Sequence, residues 1–182
     1  LSQPTPIPDD TGIQDIFRIL AEEQDRTTAI ADEAQRAVDD GRKVLVLTER
    51  TDHLDSIRRS LEEHDLEPFV LHGRMSKKQR ANLIAEIDEL PPDSPRILLA
   101  TGRLIGEGFD HPPLDTLILA MPVSWKGTLQ QYAGRLHREH ADKTDVRIID
   151  FVDTSHPALL RMWEKRQRGY RAMGYRIAEP SA

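Results

Sequence analysis

The 182-residue chain contains no cysteine, which excludes a disulfide framework and thiolate-bound metal sites. No apolar run approaches the roughly 18 residues that a membrane-spanning helix needs, so we expect no membrane association. No charged-then-apolar secretory leader is visible either. These absences together favour a cytoplasmic protein. Because the first residue is Leu1 rather than methionine, we also expect the chain to be a piece of a longer protein.

Several motifs of well-known enzyme classes are missing too. The chain has no G-x-x-x-x-G-K-[ST] loop to cradle nucleotide phosphates and no G-x-S-x-G nucleophile elbow. Its seven histidines show no spacing typical of a zinc site. No strand ends in a pair of acids suited to Mg²⁺. The sequence therefore predicts no metal site within this chain.

The charge of the chain is unevenly distributed. A net charge of −6 argues against a general nucleic-acid binder. However, residues 1–40 carry ten acids and three arginines, whereas residues 161–182 carry six bases and two acids. The global sum therefore hides a basic C-terminal segment that could contact nucleic acid.

After residue 40, strand-like and helical segments alternate along the chain. Short apolar runs such as KVLVLTE (Lys43–Glu49) are typical of strands buried on both faces. Helical periodicity follows most of these runs, which predicts an α/β fold: a three-layer parallel sheet with helices on both faces. The predicted strands are 43–49, 68–73, 96–101, 114–122 and 145–153, and the predicted helices are 13–38, 52–64, 76–90, 125–139 and 156–175.

Polar residues follow several of the predicted strands, and function gathers at the carboxyl ends of parallel strands. These residues are Thr48-Glu49, His72-Gly73, Thr101-Gly102 and Asp150. His72 could equally be a structural histidine.

The loop ATGRLIGEGFDHP (Ala100–Pro112) combines closely spaced glycines with Asp110. Glycines let a backbone approach phosphate oxygens, and an aspartate can accept hydrogen bonds from ribose hydroxyls. A plain turn with an Asx cap explains the same residues. In GRLHR, Arg135 and Arg138 project from one side of a helix, and the arginine fork suits phosphate. A solvated helix face is the alternative.

Four segments together resemble a known family. VLVLTER, LHGRMSKKQR, ILLATGRLIGEGFDHP and QQYAGRLHR occur in the order of motifs IV, IVa, V and VI of superfamily 2 DNA/RNA helicases. The resemblance covers about residues 41–155 and is closest to the DEAD/DEAH and type III restriction-subunit group. It implies a second RecA-like domain, related to P-loop NTPases, preceded by a 1–12 linker and a 13–40 helical segment. A basic helix and tail, 156–182, follow.

The resemblance implies roles for individual residues. Arg135 and Arg138 match the arginine fingers, which stabilise charge on the γ-phosphate, and Gln131 matches the residue that opens motif VI. Gly108 and Asp110 match motif V residues that face the nucleotide. The positions implied to contact the nucleic-acid backbone are Thr48, His72, Gly73, Thr101 and Gly102.

This sequence departs from the family pattern in motifs V and VI. Tyr132 stands where many members carry another arginine, and His137 replaces a glycine between the two fingers. Motif V is one residue longer than its commonest form between Thr101 and Gly108. These departures affect the alignment of Thr101 more than that of the arginines.

The resemblance also implies cofactors and partners. ATP and Mg²⁺ would be bound mainly by the N-terminal RecA-like domain of the parent, which this chain does not contain, and DNA or RNA would be the second partner. We therefore expect half of an ATP-dependent helicase or translocase that is inactive as an isolated ATPase. A non-catalytic nucleic-acid-binding module is the alternative. A flavodoxin-like or response-regulator domain without a nucleic-acid role is the third interpretation.

The final helix has an apolar side and a basic side. Leu159, Leu160, Trp163, Gln167 and Tyr170 fall roughly on one side, where Trp163 is expected to pack against the sheet. The opposite side is expected to face solvent, or DNA in the parent. Its basic residues are Arg161, Lys165, Arg168 and Arg171.

Overall fold

The computed structural model describes residues 6–102, 109–123, 129–138, 140 and 143–178. The strands in this part of the chain are β1 (Lys43–Thr48), β2 (Phe69–Leu71), β3 (Arg96–Thr101), β4 (Thr116–Leu119) and β5 (Arg147–Asp150). The helices are α1 (Ile13–Glu22), α2 (Gln24–Asp39), α3 (Thr51–Glu63), α4 (Lys77–Asp88), α5 (Gln130–Leu136) and α6 (Pro157–Ala172).

The five strands form one sheet in the order β2-β3-β1-β4-β5, and every neighbouring pair is parallel. β1 lies at the centre and all six of its residues are buried. Its register pairs Thr48 with Thr101, so the carboxyl ends of β1 and β3 lie side by side. The predicted parallel α/β sheet is therefore confirmed.

Helices cover both faces of the sheet. Leu45 and Leu47 of β1 point into a core that α4, α5 and α6 complete. Val44 and Val46 point into a second core that α2 and α3 complete. Each fully buried aliphatic side chain contributes about 1.5–3 kcal/mol of transfer free energy. This alternation of apolar residues to both faces explains why the strands read as continuous apolar runs.

The prediction of a single helix over 13–38 is wrong, because this segment forms two helices, α1 and α2. Glu23 interrupts it with an extended backbone, φ −69° and ψ 108°. α1 buries Ile16 and Leu20 in a small core with Met121 and Leu159, whereas α2 packs on the sheet. Because the two halves cover different surfaces, the chain turns between them.

The described part of the predicted linker, residues 6–12, contacts the domain. Ile7 is only 5% exposed and joins the same small core as Ile16. The carbonyl oxygen of Asp9 lies 3.2 Å from Nε2 of His156. The N-terminal segment and the start of α6 are thereby held together.

The last helix differs from its predicted apolar side at two positions. Leu160 is 39% exposed, whereas Arg166 is completely buried. Arg166 donates to both carboxylate oxygens of Asp150, at 2.7 and 2.9 Å, which compensates the burial of its charge. Trp163 packs against the main core, as predicted. None of the described helices is long and apolar enough to cross a membrane.

Candidate nucleotide and nucleic-acid sites

The carboxyl ends of β1 and β3 hold three of the residues predicted to contact nucleic acid. Thr48 is completely buried and Thr101 is nearly so, so that their side chains face the protein interior. Gly102 lies against Glu49, and a Cβ at this glycine would collide with the Glu49 carboxylate. In this structure, Glu49 therefore covers Gly102 at the edge of the sheet.

The hydroxyl of Thr48 is hydrogen-bonded to a buried histidine. Oγ1 of Thr48 lies 3.0 Å from Nδ1 of His53, on the first turn of α3. Nε2 of His53 has no hydrogen-bond partner among the described residues. Burial, and secondarily the positive charge of Arg26, lower the pKa of His53 to about 4. The Thr48 side chain is thus held by a histidine that stays neutral at physiological pH.

The end of β2 is more open. His72 is half-buried and its Nδ1 accepts a hydrogen bond of 3.2 Å from the backbone N–H of Arg74. Gly73 is exposed, and a Cβ there would meet nothing. A glycine at this position therefore leaves its backbone open to a ligand.

A basic turn follows Gly73 and was missed as a functional site by the sequence prediction. Ser76 caps α4 in a capping box with Gln79. Arg74, Lys77 and Lys78 are all exposed at this helix start, where the helix dipole is positive. The signal was present in the sequence, since all three lie in the segment LHGRMSKKQR.

Phe109, Asp110 and His111 are the next described residues after β3 and Gly102. Gly108 lies outside the described residues, but Phe109 is buried in the main core and Asp110 follows it. His111 lies 3.2 Å from the guanidinium of Arg96, the first residue of β3. Five residue steps along a strand span about 17 Å. Asp110 therefore lies towards the amino edge of the sheet, well away from Thr101.

Both predicted arginine fingers contact this segment, but only Arg135 lies on α5; the predicted helix 125–139 ends at Leu136 in the structure, so Arg138 follows it. Nη1 of Arg135 donates to the carbonyl oxygen of Phe109, and Nη1 of Arg138 pairs with the carboxylate of Asp110. The Arg138 and Asp110 side chains are 55% and 32% exposed. Gln131 is exposed on the first turn of α5. Two arginines and one carboxylate thus converge on one accessible place.

The ring of Tyr132 packs against the guanidinium of Arg135. This ring is buried, and the guanidinium carbon of Arg135 lies 5.7 Å from the ring centroid. Burial raises the pKa of Tyr132, so the phenol remains neutral. The tyrosine therefore offers an aromatic face for a cation, which restricts where Arg135 can point.

An open hollow of about 590 Å³ lies beside Arg138. It is lined by His137, Arg138, His140, Lys143, Thr144, Asp145 and Val146. Nζ of Lys143 donates to the carbonyl oxygens of Leu136 and Arg138, each at 2.8 Å, and so fixes the end of α5. Burial lowers the pKa of Lys143. The basic lining suits an anionic group next to Arg138.

The two predicted residues of α6, Lys165 and Arg168, are both exposed. They lie on a different element from Arg135 and Arg138, and Arg166 between them anchors α6 to β5. Within the described residues, no cluster of three or more histidines and acids is arranged to hold a metal ion.

The five-stranded parallel sheet with helices on both faces is the architecture of the second RecA-like domain of superfamily 2 helicases. Residues 26–140 match the model of the helicase conserved C-terminal domain. The chain belongs to this family.

Individual relatives agree with this assignment. The chain is 39% identical over 103 residues to uncharacterized protein 108L of Invertebrate iridescent virus 3, a match that covers 55% of this chain and 90% of that protein. It is 24% identical over 136 residues to probable helicase D10 of Escherichia phage T5, covering 75% of this chain and 29% of that protein. The fold resembles T4 UvsW with a TM-score of 0.73 at 19% identity, covering 90% of this chain and 35% of that one. The chain thus spans about a third of the two longer proteins.

Proposed function

We propose that this chain is the C-terminal half of an ATP-dependent DNA or RNA helicase or translocase. The observation that carries the proposal is the convergence of Arg135 and Arg138 on Phe109 and Asp110. Two motifs that are far apart in sequence thereby form one accessible cluster, and the basic hollow beside it has room for an anion.

The residues of this cluster fit a nucleotide phosphate. Arg138 is exposed and, among the described residues, pairs with the partly exposed carboxylate of Asp110; pairs of this kind are worth only about 0–1 kcal/mol. A phosphate therefore competes readily for its guanidinium. ATP, with Mg²⁺, would be held mainly by an N-terminal RecA-like domain and would supply the free energy of hydrolysis. An arginine finger is worth about 10³–10⁵ in the rate of phosphoryl transfer.

Nucleic acid would bind at the opposite, carboxyl edge of the sheet. Gly73 has an open backbone there, and Arg74, Lys77 and Lys78 surround it with positive charge. Phosphate contacts of this type position a strand without reading its sequence. Thr101 and Gly102 lie at the same edge but are covered in this structure, so that their contacts would be made through the backbone after Glu49 moves.

Motif V links the two proposed sites. It begins at Thr101 on the carboxyl edge and ends at Asp110 beside Arg138, and the next residue, His111, contacts Arg96 at the start of β3. A shift of this segment would move residues at both proposed sites. We infer that motif V couples the occupancy of the nucleotide site to the affinity for nucleic acid.

A non-catalytic nucleic-acid-binding module is the second candidate. The observation in its favour is that the match covers 90% of the viral protein 108L, so that the relative is little longer than the aligned domain. Such a module needs the basic surface at Gly73 but not Arg138.

The isolated chain tests the nucleic-acid part of the proposal. Fluorescence anisotropy with a labelled single strand should give a steep salt dependence, because bound phosphates release counterions. The double variant Lys77→Glu, Lys78→Glu should reduce the log–log salt slope by roughly 1.4, since each lost contact accounts for about 0.7. The matched control is Arg58→Glu, Arg59→Glu, on exposed positions of α3. Equal slopes for the two variants would exclude this surface.

The same chain tests the catalytic part. Residues 1–182 should show no nucleic-acid-stimulated ATPase activity alone, because the phosphate-binding loop is absent from the sequence. Ordinary turnover by the isolated chain would contradict the proposal.

A further inference from the structure

His111 directly follows Asp110, and both of its ring nitrogens are engaged. Nδ1 lies 2.9 Å from a carboxylate oxygen of Asp88, and Nε2 lies 3.2 Å from Nη1 of Arg96. A guanidinium can only donate, so Nε2 must accept and Nδ1 must carry the proton that goes to Asp88. The contacts therefore select a neutral ring with one defined tautomer.

The partners of His111 are themselves fixed. Arg96 is buried and donates to the carbonyl oxygens of Ser94, at 3.0 and 3.1 Å, and of Pro91, at 2.5 Å. Asp88 is the last residue of α4. Through these bonds, His111 ties the loop after β3 to the end of α4 and to the turn before β3.

The neighbouring residues Phe109 and Asp110 contact Arg135 of α5 and Arg138, which follows that helix. Phe109 accepts from Arg135 through its carbonyl oxygen, and Asp110 pairs with Arg138. Phe109 itself is fixed in the main core. His111 is thus the polar anchor on the far side of Asp110.

The geometry points to His111 as a positioning residue of the candidate phosphate site: it holds residues 109–111 where they receive Arg135 and Arg138. This inference rests on the proposed function, because it concerns the same phosphate site. A ring with protons on both nitrogens cannot accept from Arg96, and its charge repels that guanidinium. Protonation therefore releases the anchor and shifts the place at which Arg138 is held.

The charges around His111 set the pH at which this happens. Burial lowers the pKa of His111, Asp88 raises it, and the cations Arg96 and His140 lower it. The net direction is downwards, so the anchor is formed at neutral pH and is lost as the pH falls below about 6.5, the ordinary value of histidine. His140 is also ionisable and requires a control of its own.

The experiment follows the side-chain Nε–H resonance of Arg138 in the 182-residue chain by ¹⁵N NMR between pH 4.5 and 8. We expect a step in the chemical shift with a midpoint below about 6.5. Asp88→Asn keeps an acceptor oxygen but removes the charge that raises the pKa of His111, so it should move the midpoint lower. His111→Asn should abolish the step, and His140→Asn should leave it in place.

Three results would overturn the inference: no step in the wild type, a step that persists in His111→Asn, or a midpoint unmoved in Asp88→Asn. Should His111→Asn fail to fold, Asp88→Asn decides, because Asp88 is largely exposed and its substitution is mild. The ATPase rate of a protein that joins this chain to an N-terminal RecA-like domain, with Arg138→Ala, tests the proposed function separately. A pH step in the isolated chain together with an unchanged ATPase rate in Arg138→Ala would keep the positioning role and reject the nucleotide role.

Discussion

The buried His53 makes the stability of this domain depend on pH in a direction that the structure defines. Its pKa is lowered to about 4 in the folded protein, against about 6.5 in the unfolded chain. Between these values the unfolded state binds more protons than the folded state. The free energy of unfolding therefore falls as the pH falls from about 6.5 towards 4, and the contribution is fully present above that range.

The magnitude follows from the size of the shift. Each pKa unit corresponds to about 1.4 kcal/mol, so that lowering the pH from 7 to 5 should cost about 2 kcal/mol through His53 alone. The full shift corresponds to roughly 3 kcal/mol. His53 is completely buried, so solvent screening does not reduce this contribution.

The assay is urea unfolding of the wild type and of His53→Asn at pH 7, 6 and 5. Asparagine offers Thr48 a hydrogen-bond partner but does not titrate, so the difference between the two proteins isolates the histidine from the carboxylates. We expect the stability of the wild type relative to the variant to decline by about 2 kcal/mol across this range. A difference that stays constant with pH would refute the reasoning.

Three further changes give measurable results. His64 lies 3.0 Å from Asp32, and its pKa is raised mainly by hydrogen bonds to the Ser60 carbonyl and to Asp32. Its contribution to the free energy of unfolding should therefore be present below about pH 6.5 and decline as the pH rises, which urea unfolding of the wild type and of His64→Ala measures. Arg166→Met leaves the buried Asp150 without a charge partner, although the Tyr170 hydroxyl still donates to it, so the substitution should cost about 3–5 kcal/mol in the same assay. Charge reversal at Lys165 and Arg168 should weaken nucleic-acid binding at low salt with little change in stability.

Each of these expectations has a control. Neutralising Asp150 as well, in Asp150→Asn with Arg166→Met, should recover part of the stability, and a double variant no more stable than Arg166→Met would contradict the ion-pair explanation. Unchanged affinity after reversal at Lys165 and Arg168 would remove α6 from the binding surface. A His64→Ala difference that grows with rising pH would contradict the sign of its shift.

The sheet was predictable because its strands are short, largely apolar runs, and the three central strands, β1, β3 and β4, are buried throughout. All five predicted strands are present, and their ends differ from the prediction by a few residues. The break at Glu23 could not be read from sequence, because both α1 and α2 have helical periodicity. Only the different surfaces that they cover, around Met121 for α1 and on the sheet for α2, force the turn.

Charged residues limited the prediction most. Arginine is usually exposed, so periodicity favoured Leu160 over Arg166 as a core residue of α6. The bidentate contact of Arg166 with Asp150 reverses that preference, and it depends on tertiary geometry. The family resemblance likewise placed both Asp110 and Arg138 near the nucleotide, but it did not predict that their side chains pair with each other.

The position of the candidate nucleotide site also differs from the general rule. The carboxyl ends of parallel strands were expected to gather the functional residues, and Gly73 and Thr101 do lie there. Asp110 lies towards the amino edge instead, because the next residue, His111, contacts Arg96 at the start of β3. The sequence pattern defines where a strand ends, but not where a long loop leads.

The central claim is that Arg138 acts on the phosphate of a nucleotide bound mainly by another domain. The most direct measurement is the steady-state ATPase rate of a protein that carries this chain together with an N-terminal RecA-like domain, with Arg138→Ala compared against Arg59→Ala on exposed α3. We predict that Arg138→Ala lowers kcat by about 10³-fold or more, while Arg59→Ala leaves it unchanged. Equal rates for the two variants would contradict the account.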